Sequence, residues 1–192
     1  MKILIIPVIK EPYKNQIEFS VDIRLVKILK IFFSKSIIQY AVEKKKYEYD
    51  LLVLVGGNNI IQFSKLLKDK IRHSLDNFFF KDAIKKKKKI LGICHGSQFI
   101  GKKLGLKIIK KRKVGFEDIY TEKKKMSLKL FHDYSIINKK VKKNIIIYAK
   151  TKDNTIEAFS HKKKKIFGVN WHPERNRKIN HIDKKFFQLL GR

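Results

Sequence analysis

Apolar residues fall along this 192-residue chain in two rhythms. Unbroken apolar runs at Lys2-Ile3-Leu4-Ile5-Ile6, within Tyr49–Val55 and at Ile90–Ile93 predict strands buried on both faces. Between them lie stretches with helical spacing. Val21, Leu25, Ile28, Leu29 and Phe32 mark one stripe, with Ser20 or Asp22 as its cap, and Ile60–Phe80 predicts a second helical region in two pieces. Ser36–Val42 predicts a further strand, and His95–Lys103 a helix directly after the run that ends at Ile93. Strands that alternate with helices in this way predict an α/β fold with a mostly parallel central sheet flanked by helices.

From Leu106 onward the pattern changes. Short strands expected at Leu128–Phe131, Ile145–Ala149, Thr155–Phe159 and Ile166–Asn170 are separated by charged turns such as Lys152-Asp153-Asn154, which predicts β-hairpin additions in the C-terminal half. Ile182–Leu190 predicts a closing helix. No internal repeat and no linker rich in proline, glycine or serine interrupts the chain, so a single domain over 1–192 is expected.

Composition narrows the function classes. No apolar run approaches the roughly 20 residues of a membrane helix, and Met1–Val8, broken at Pro7, is too short for a signal peptide. A lone cysteine excludes an internal disulfide and fits a reducing cytoplasm. The formal charge of +30 invites a nucleic-acid partner, because clustered cations displace counterions from phosphates. The pattern argues otherwise: only six of the 47 cations are arginine, and the lysines fall in runs such as Lys85–Lys89, Lys123–Lys125 and Lys162–Lys165, without aromatics to stack on bases. The runs read as solvated surface, with a field that helps attract a polyanionic substrate as the second reading.

The lone cysteine carries the chemistry. Cys94 stands at the centre of Gly92-Ile93-Cys94-His95-Gly96, after an apolar run, and glycines two residues either side of a nucleophile suit a sharp strand-to-helix turn. At the start of the following helix, unpaired N–H groups favour the thiolate. A base is expected from Gly168-Val169-Asn170-Trp171-His172-Pro173-Glu174-Arg175. Proline keeps His172 extended, and residues two apart then share a face, so Glu174 can fix the imidazole of His172 while its other nitrogen meets the thiol. The Gly56-Gly57 pair ends the strand within Tyr49–Val55. Ligands of parallel sheets bind beyond such strand ends, and the N–H groups of Gly57 and His95 could bind the oxyanion of a tetrahedral intermediate.

In this order, the Gly-Gly loop at 56 and 57, the Gly-x-Cys-x-Gly-x-Gln elbow at Gly92–Gln98 and the His-Pro-Glu end at 172–174 resemble the class I glutamine amidotransferase superfamily. The resemblance covers most of the chain. It implies a catalytic triad of Cys94, His172 and Glu174, an oxyanion hole from Gly57 and His95, and Gln98 and Gly56 near the amide being cleaved. Phe131-His132-Asp133-Tyr134-Ser135-Ile136, followed by Ile156-Glu157-Ala158, looks most like stand-alone γ-glutamyl hydrolases, which places His132, Asp133 and Tyr134 at the substrate. That branch includes γ-glutamyl-γ-aminobutyrate hydrolases and relatives acting on γ-glutamyl-CDP-amidate in surface (capsule) polysaccharide assembly. Lys129-Leu130-Phe131 departs from the Asn-Ser that precedes the middle histidine in many of them, and only Gly105 remains of the usual glycine pair after the elbow helix.

The resemblance implies a cytoplasmic hydrolase of a small-molecule γ-glutamyl amide, with no cofactor, no metal and no membrane. The competing readings are a glutaminase subunit feeding a synthetase partner and a non-catalytic basic nucleic-acid binder on the same fold. A homo-oligomer is compatible with each. Glu18, Ser20 and Arg24, in or just after the stretch 11–22, are candidate contacts for the leaving amine, and Arg175 and Lys178 for a phosphate.

Overall fold

The apolar runs become strands whose alternate residues face opposite sides of one sheet. The structure, a computed structural model, describes residues 1–192 except Asn15, Lys140 and Arg177. Its first half contains β1 (Lys2–Ile6), β2 (Val8–Lys10), β3 (Glu18–Ser20), α1 (Ile23–Phe32), β4 (Ile37–Tyr40), β5 (Leu51–Leu54), α2 (Leu67–Lys85), β6 (Lys89–Ile93) and α3 (His95–Lys103). The second half adds β7 (Lys107–Thr121), β8 (Lys125–Ile137), β9 (Ile145–Thr151), β10 (Thr155–His161), β11 (Ile166–Val169) and α4 (His181–Gly191). Single 3-10 turns lie at Ile61–Phe63 and Pro173–Arg175.

Among the described residues, nine strands form one sheet in the order β4-β1-β5-β6-β11-β10-β8-β7-β9. The first five are parallel. Ile3, Ile5, Leu51, Val53, Leu91 and Ile93 point to one face, where Leu25 and Leu29 of α1 and Phe186 and Phe187 of α4 cover them. Leu4, Ile6, Leu52, Leu54 and Ile90 point to the other, under Phe79 and Phe80 of α2 and Phe99 and Ile100 of α3. Burial on both faces explains why these runs do not alternate in sequence. Asp22 caps α1 by accepting from Arg24 N at 2.9 Å, and Asn180 caps α4 in the same way.

The expectation of a mostly parallel sheet holds only for this half. Beyond β11 every pairing is antiparallel, and β10, β8, β7 and β9 pair around a closed ring because β9 returns to β10. Ile166–Asn170, expected as part of a hairpin addition, instead supplies β11, which lies parallel to β6 and beside the cysteine strand. The expectation of short strands after Leu106 holds for β9, β10 and β11, of seven, seven and four residues, and fails before them. β7 and β8 span 15 and 13 residues and make one long hairpin, with a bulge between Lys110 and Lys113. Charged residues at Lys107, Lys110, Lys111, Arg112 and Lys113 hide that strand, because its outward positions face water and one inward position is held by the buried Lys113. The β2–β3 ribbon was not expected at all.

The helical region expected at Ile60–Phe80 resolves into the turn at 61–63 and α2, which buries Asp69, Arg72 and Asp76 fully in its first turns beside the apolar Leu75, Phe79, Phe80 and Ala83. Among the described residues no helix is long and apolar enough to cross a membrane.

Candidate active site

Parallel strands bring the ends of β5, β6 and β11 to one edge of the sheet, and three loops meet there. At the end of β6, Cys94 has φ 50° and ψ −107°, a strained conformation for a residue with a side chain, of order 1–3 kcal/mol. Its N–H donates to Val169 O at 2.8 Å, and its carbonyl accepts from Gln98 N at 3.0 Å. The flanking glycines allow this turn. A Cβ on Gly96 would lie 2.0 Å from Leu54 O, and one on Gly92 would lie 2.6 Å from the Gly96 carbonyl.

His172 follows β11 and stands beside the thiol. Nδ1 of His172 and Oε1 of Glu174 are 2.6 Å apart, and the carboxylate fixes Nδ1 as the donor. The expected sharing of an extended face is replaced by a 3-10 turn over Pro173–Arg175 that folds Glu174 back under the ring. A Cβ on Gly56 would meet His172 Cε1 at 2.6 Å, Cys94 Cβ at 3.0 Å and His172 Nε2 at 3.3 Å, so this glycine leaves room for both groups. Burial disfavours the Cys94 thiolate, but the His172 hydrogen bond and charge, then His132 and the His95 N–H, outweigh it and lower the thiol below its ordinary range. Burial likewise opposes the His172 cation, and Cys94 and Glu174 overcome it, raising His172 to about 9. Both shifts favour the thiolate–imidazolium form of the pair.

A cavity of about 160 Å³ opens over the sulfur, lined by Gly57, Cys94, Gln98, His132, Tyr134 and His172 among others, with Arg112 and Arg175 also on its wall. β8 forms one side of it. Phe131 O lies 3.8 Å from the sulfur, and Gln98 Nε2 donates to Tyr134 O at 2.6 Å. Tyr134 stacks on Phe63 at 4.9 Å and donates its hydroxyl to Asn59 at 3.2 Å. Asp133 points outward, 3.4 Å from Arg112. His132 is buried with Nε2 3.3 Å from Glu157, whose other oxygen accepts from Thr155 at 2.8 Å. Burial again opposes the charged ring, but Glu157 and Cys94 raise His132 above its ordinary range.

The structure thus gathers Gly57, Cys94, Gln98, His132, Asp133, Tyr134 and His172 around one cavity, with Glu174 and Gly56 against His172 and the N–H of His95 directed at the sulfur. Sequence reasoning missed Asn58, Asn59, Asp69, Arg72, Asp76 and the pairing of Glu157 with His132. The only signal for the first group is the Asn-Asn pair directly after Gly57.

Ser20 reaches a second groove of about 500 Å³ that shares Gly57 and Arg175 with the first and includes Lys10 and Lys68. Arg24 is engaged with Asp22 at 2.7 Å, and Glu18 with Gln16 at 3.0 Å; neither Arg24, Glu18 nor Lys178 lines either cavity among the described residues. Asn15, within the stretch 11–22 expected beside the pocket, lies outside the described residues. Among those residues no group of three or more His, Cys, Asp or Glu is placed to hold a metal ion.

A parallel sheet that presents a cysteine elbow beside a histidine and a glutamate defines a class, and the family model for "Glutamine amidotransferase class-I" matches residues 19–189. The chain belongs to that family. Within it, the chain is 30% identical over 158 residues to the γ-glutamyl-CDP-amidate hydrolase of Campylobacter jejuni, covering 80% of this chain and 78% of that one. It is 31% identical over 131 residues to the glutamine-hydrolysing GMP synthase of Wigglesworthia glossinidia brevipalpis, across 57% of this chain but only 24% of that longer protein. A glutamine amidotransferase crystal structure from Thermotoga maritima superposes with a TM-score of 0.64 at 18% identity, over 99% of this chain and 94% of that one, which supports the shared fold. Family membership and these relatives support amide hydrolysis of the glutamine type.

Proposed function

We propose that this chain is a cysteine-dependent γ-glutamyl amide hydrolase, working as one domain in the cytoplasm. The observation that carries the reading is the line from Cys94 through His172 to Glu174, with Nδ1 fixed at 2.6 Å and the thiol lowered beside the imidazole. In the proposed cycle the Cys94 thiolate attacks the γ-carbonyl carbon. The oxyanion accepts from the N–H groups of Gly57 and His95, each typically worth about 3 kcal/mol. His172 then gives its proton to the leaving nitrogen as the C–N bond breaks, leaving a γ-glutamyl thioester. Water enters, His172 takes its proton, and the C–S bond breaks to release glutamate. Gln98, His132 and the β8 backbone around Tyr134 form the glutamyl pocket, with Asp133 at its outer rim.

For the leaving group we favour a phosphorylated amine of the γ-glutamyl-CDP-amidate type. Support comes from the Campylobacter relative and from the groove that continues past Gly57 and Arg175 to Lys10 and Lys68. The similarity to GMP synthase favours a second reading, a glutaminase that passes ammonia to a synthetase partner. The lysine surface carries no comparable support for nucleic-acid binding.

The test is a turnover screen of the purified chain alone on glutamine, γ-glutamyl-γ-aminobutyrate and γ-glutamyl-CDP-amidate. Hydrolysis of at least one, abolished by Cys94→Ala, is the expected result. Activity that appears only when a synthetase is added would move the assignment to the second reading.

A further inference from the structure

Beneath the Gly56–Gly57 loop lies a cluster of charges that the proposed cycle does not use. His95, Asp69, Arg72 and Asp76 are at most 2% exposed. Arg72 Nε donates to Asp76 Oδ1 at 2.9 Å, and its Nη atoms donate to Val55 O at 2.6 Å and Pro7 O at 3.1 Å. Asp69 accepts from Asn58 Nδ2, from the Asn59 N–H and side chain, and from Ser64, all within 3.1 Å. His95 closes the cluster with Nδ1 2.8 Å from Asn58 O and Nε2 2.8 Å from Asp76 Oδ2.

Donor and acceptor chemistry then orients the ring. A peptide carbonyl only accepts, so Nδ1 carries a proton and donates to Asn58 O. Nε2 meets the carboxylate of Asp76, whose other oxygen accepts from Arg72. Burial opposes the Asp76 charge, and the Arg72 guanidinium beside it helps hold the carboxyl below its ordinary range. Breaking either tie would leave a buried polar group without its partner, which is costly.

We infer that His95 acts as a positioning residue, clamping the nucleophile elbow to the Gly56–Gly57 loop so that the N–H groups of His95 and Gly57 face one point. The catalytic part of this inference rests on the hydrolase reading; the two ties of the ring do not. Arg72 holds the loop at Val55, His95 holds it at Asn58, and Gly57, with φ 105°, lies between. The clamp joins the two halves of the proposed oxyanion hole across separate loops.

Nitrogen NMR of the full chain, with the His95 signals assigned by their loss in His95→Gln, reads the ring directly. It should show a proton on Nδ1, the nitrogen that faces Asn58 O. A bare Nδ1 overturns the inference, whether or not any variant folds. In turnover, His95→Gln and Asp76→Asn should lower kcat about 10- to 100-fold with KM within about three-fold, as expected for misplaced donors. Alkylation of Cys94 at a pH where the thiol is fully ionised should stay within about two-fold of wild type. Folded variants with wild-type kcat would overturn the clamp. Absence of wild-type turnover on every γ-glutamyl amide would instead remove the hydrolase reading, while the ring measurement would still stand or fall by itself.

Discussion

A buried thiol beside an imidazole titrates as a pair, and the direction of each shift sets a pH window. Cys94 is lowered below its ordinary range and His172 is raised to about 9, and both shifts widen the window in which thiolate and imidazolium coexist. In the proposed cycle, the nucleophile is protonated below the window, and the acid that serves the leaving amine is lost above it. Hydrolysis should therefore fall on both sides, with the alkaline limb near pH 9, and Glu174→Gln should move that limb downward in a kcat/KM profile. Iodoacetamide alkylation should continue below the ordinary thiol range of about 8.5, and His172→Gln should shift its midpoint upward. Alkylation that tracks a free thiol in the wild type would contradict the pairing. Cys94, His172 and Glu174 were legible in the sequence because glycine and proline beside them announce special backbone. Arg72 and Asp76 were not, because an i,i+4 ion pair on a helix ordinarily marks a solvated face.

At the scale of elements, the turns around the site separate packing from chemistry. Gly96→Ala puts a carbon 2.0 Å from the backbone of β5, which cannot move aside, so destabilisation of about 3 kcal/mol or more is expected in thermal or denaturant unfolding. Gly56→Ala instead meets the imidazole of His172, which can be displaced. It should cost much of kcat while lowering Tm far less than Gly96→Ala, and equal effects on both quantities from both variants would refute the distinction. The apolar runs made β1, β5 and β6 readable, and the Asp22 cap with its stripe made α1 readable. β7 escaped because its outward positions are charged, the inward Lys113 interrupts its alternation, and a bulge and Gly115 break it again. α2 was readable as a helix, but not the charges buried in its first turns, since only the loop they support explains them.

For the whole molecule, a net charge of +30 on one folded chain means self-repulsion that salt should relieve. Raising ionic strength from about 0.01 M to 0.15 M shortens the screening length from about 30 Å to 8 Å. Tm should rise by about 3 °C or more, despite weakening of surface pairs such as Lys2–Glu48, because exposed pairs contribute little. A flat or falling Tm would show that the lysines are arranged to offset one another. The parallel half of the sheet was visible in the order of apolar runs, whereas the closed ring of β7–β10 depends on pairings distant in sequence. The same global view gives the lone cysteine a second meaning. Cys94 is the only sulfhydryl in these 192 residues, so an oxidant that converted its thiolate to a sulfenic acid would find no resolving cysteine in the chain, and recovery would depend on a thiol small enough to enter a 160 Å³ cavity.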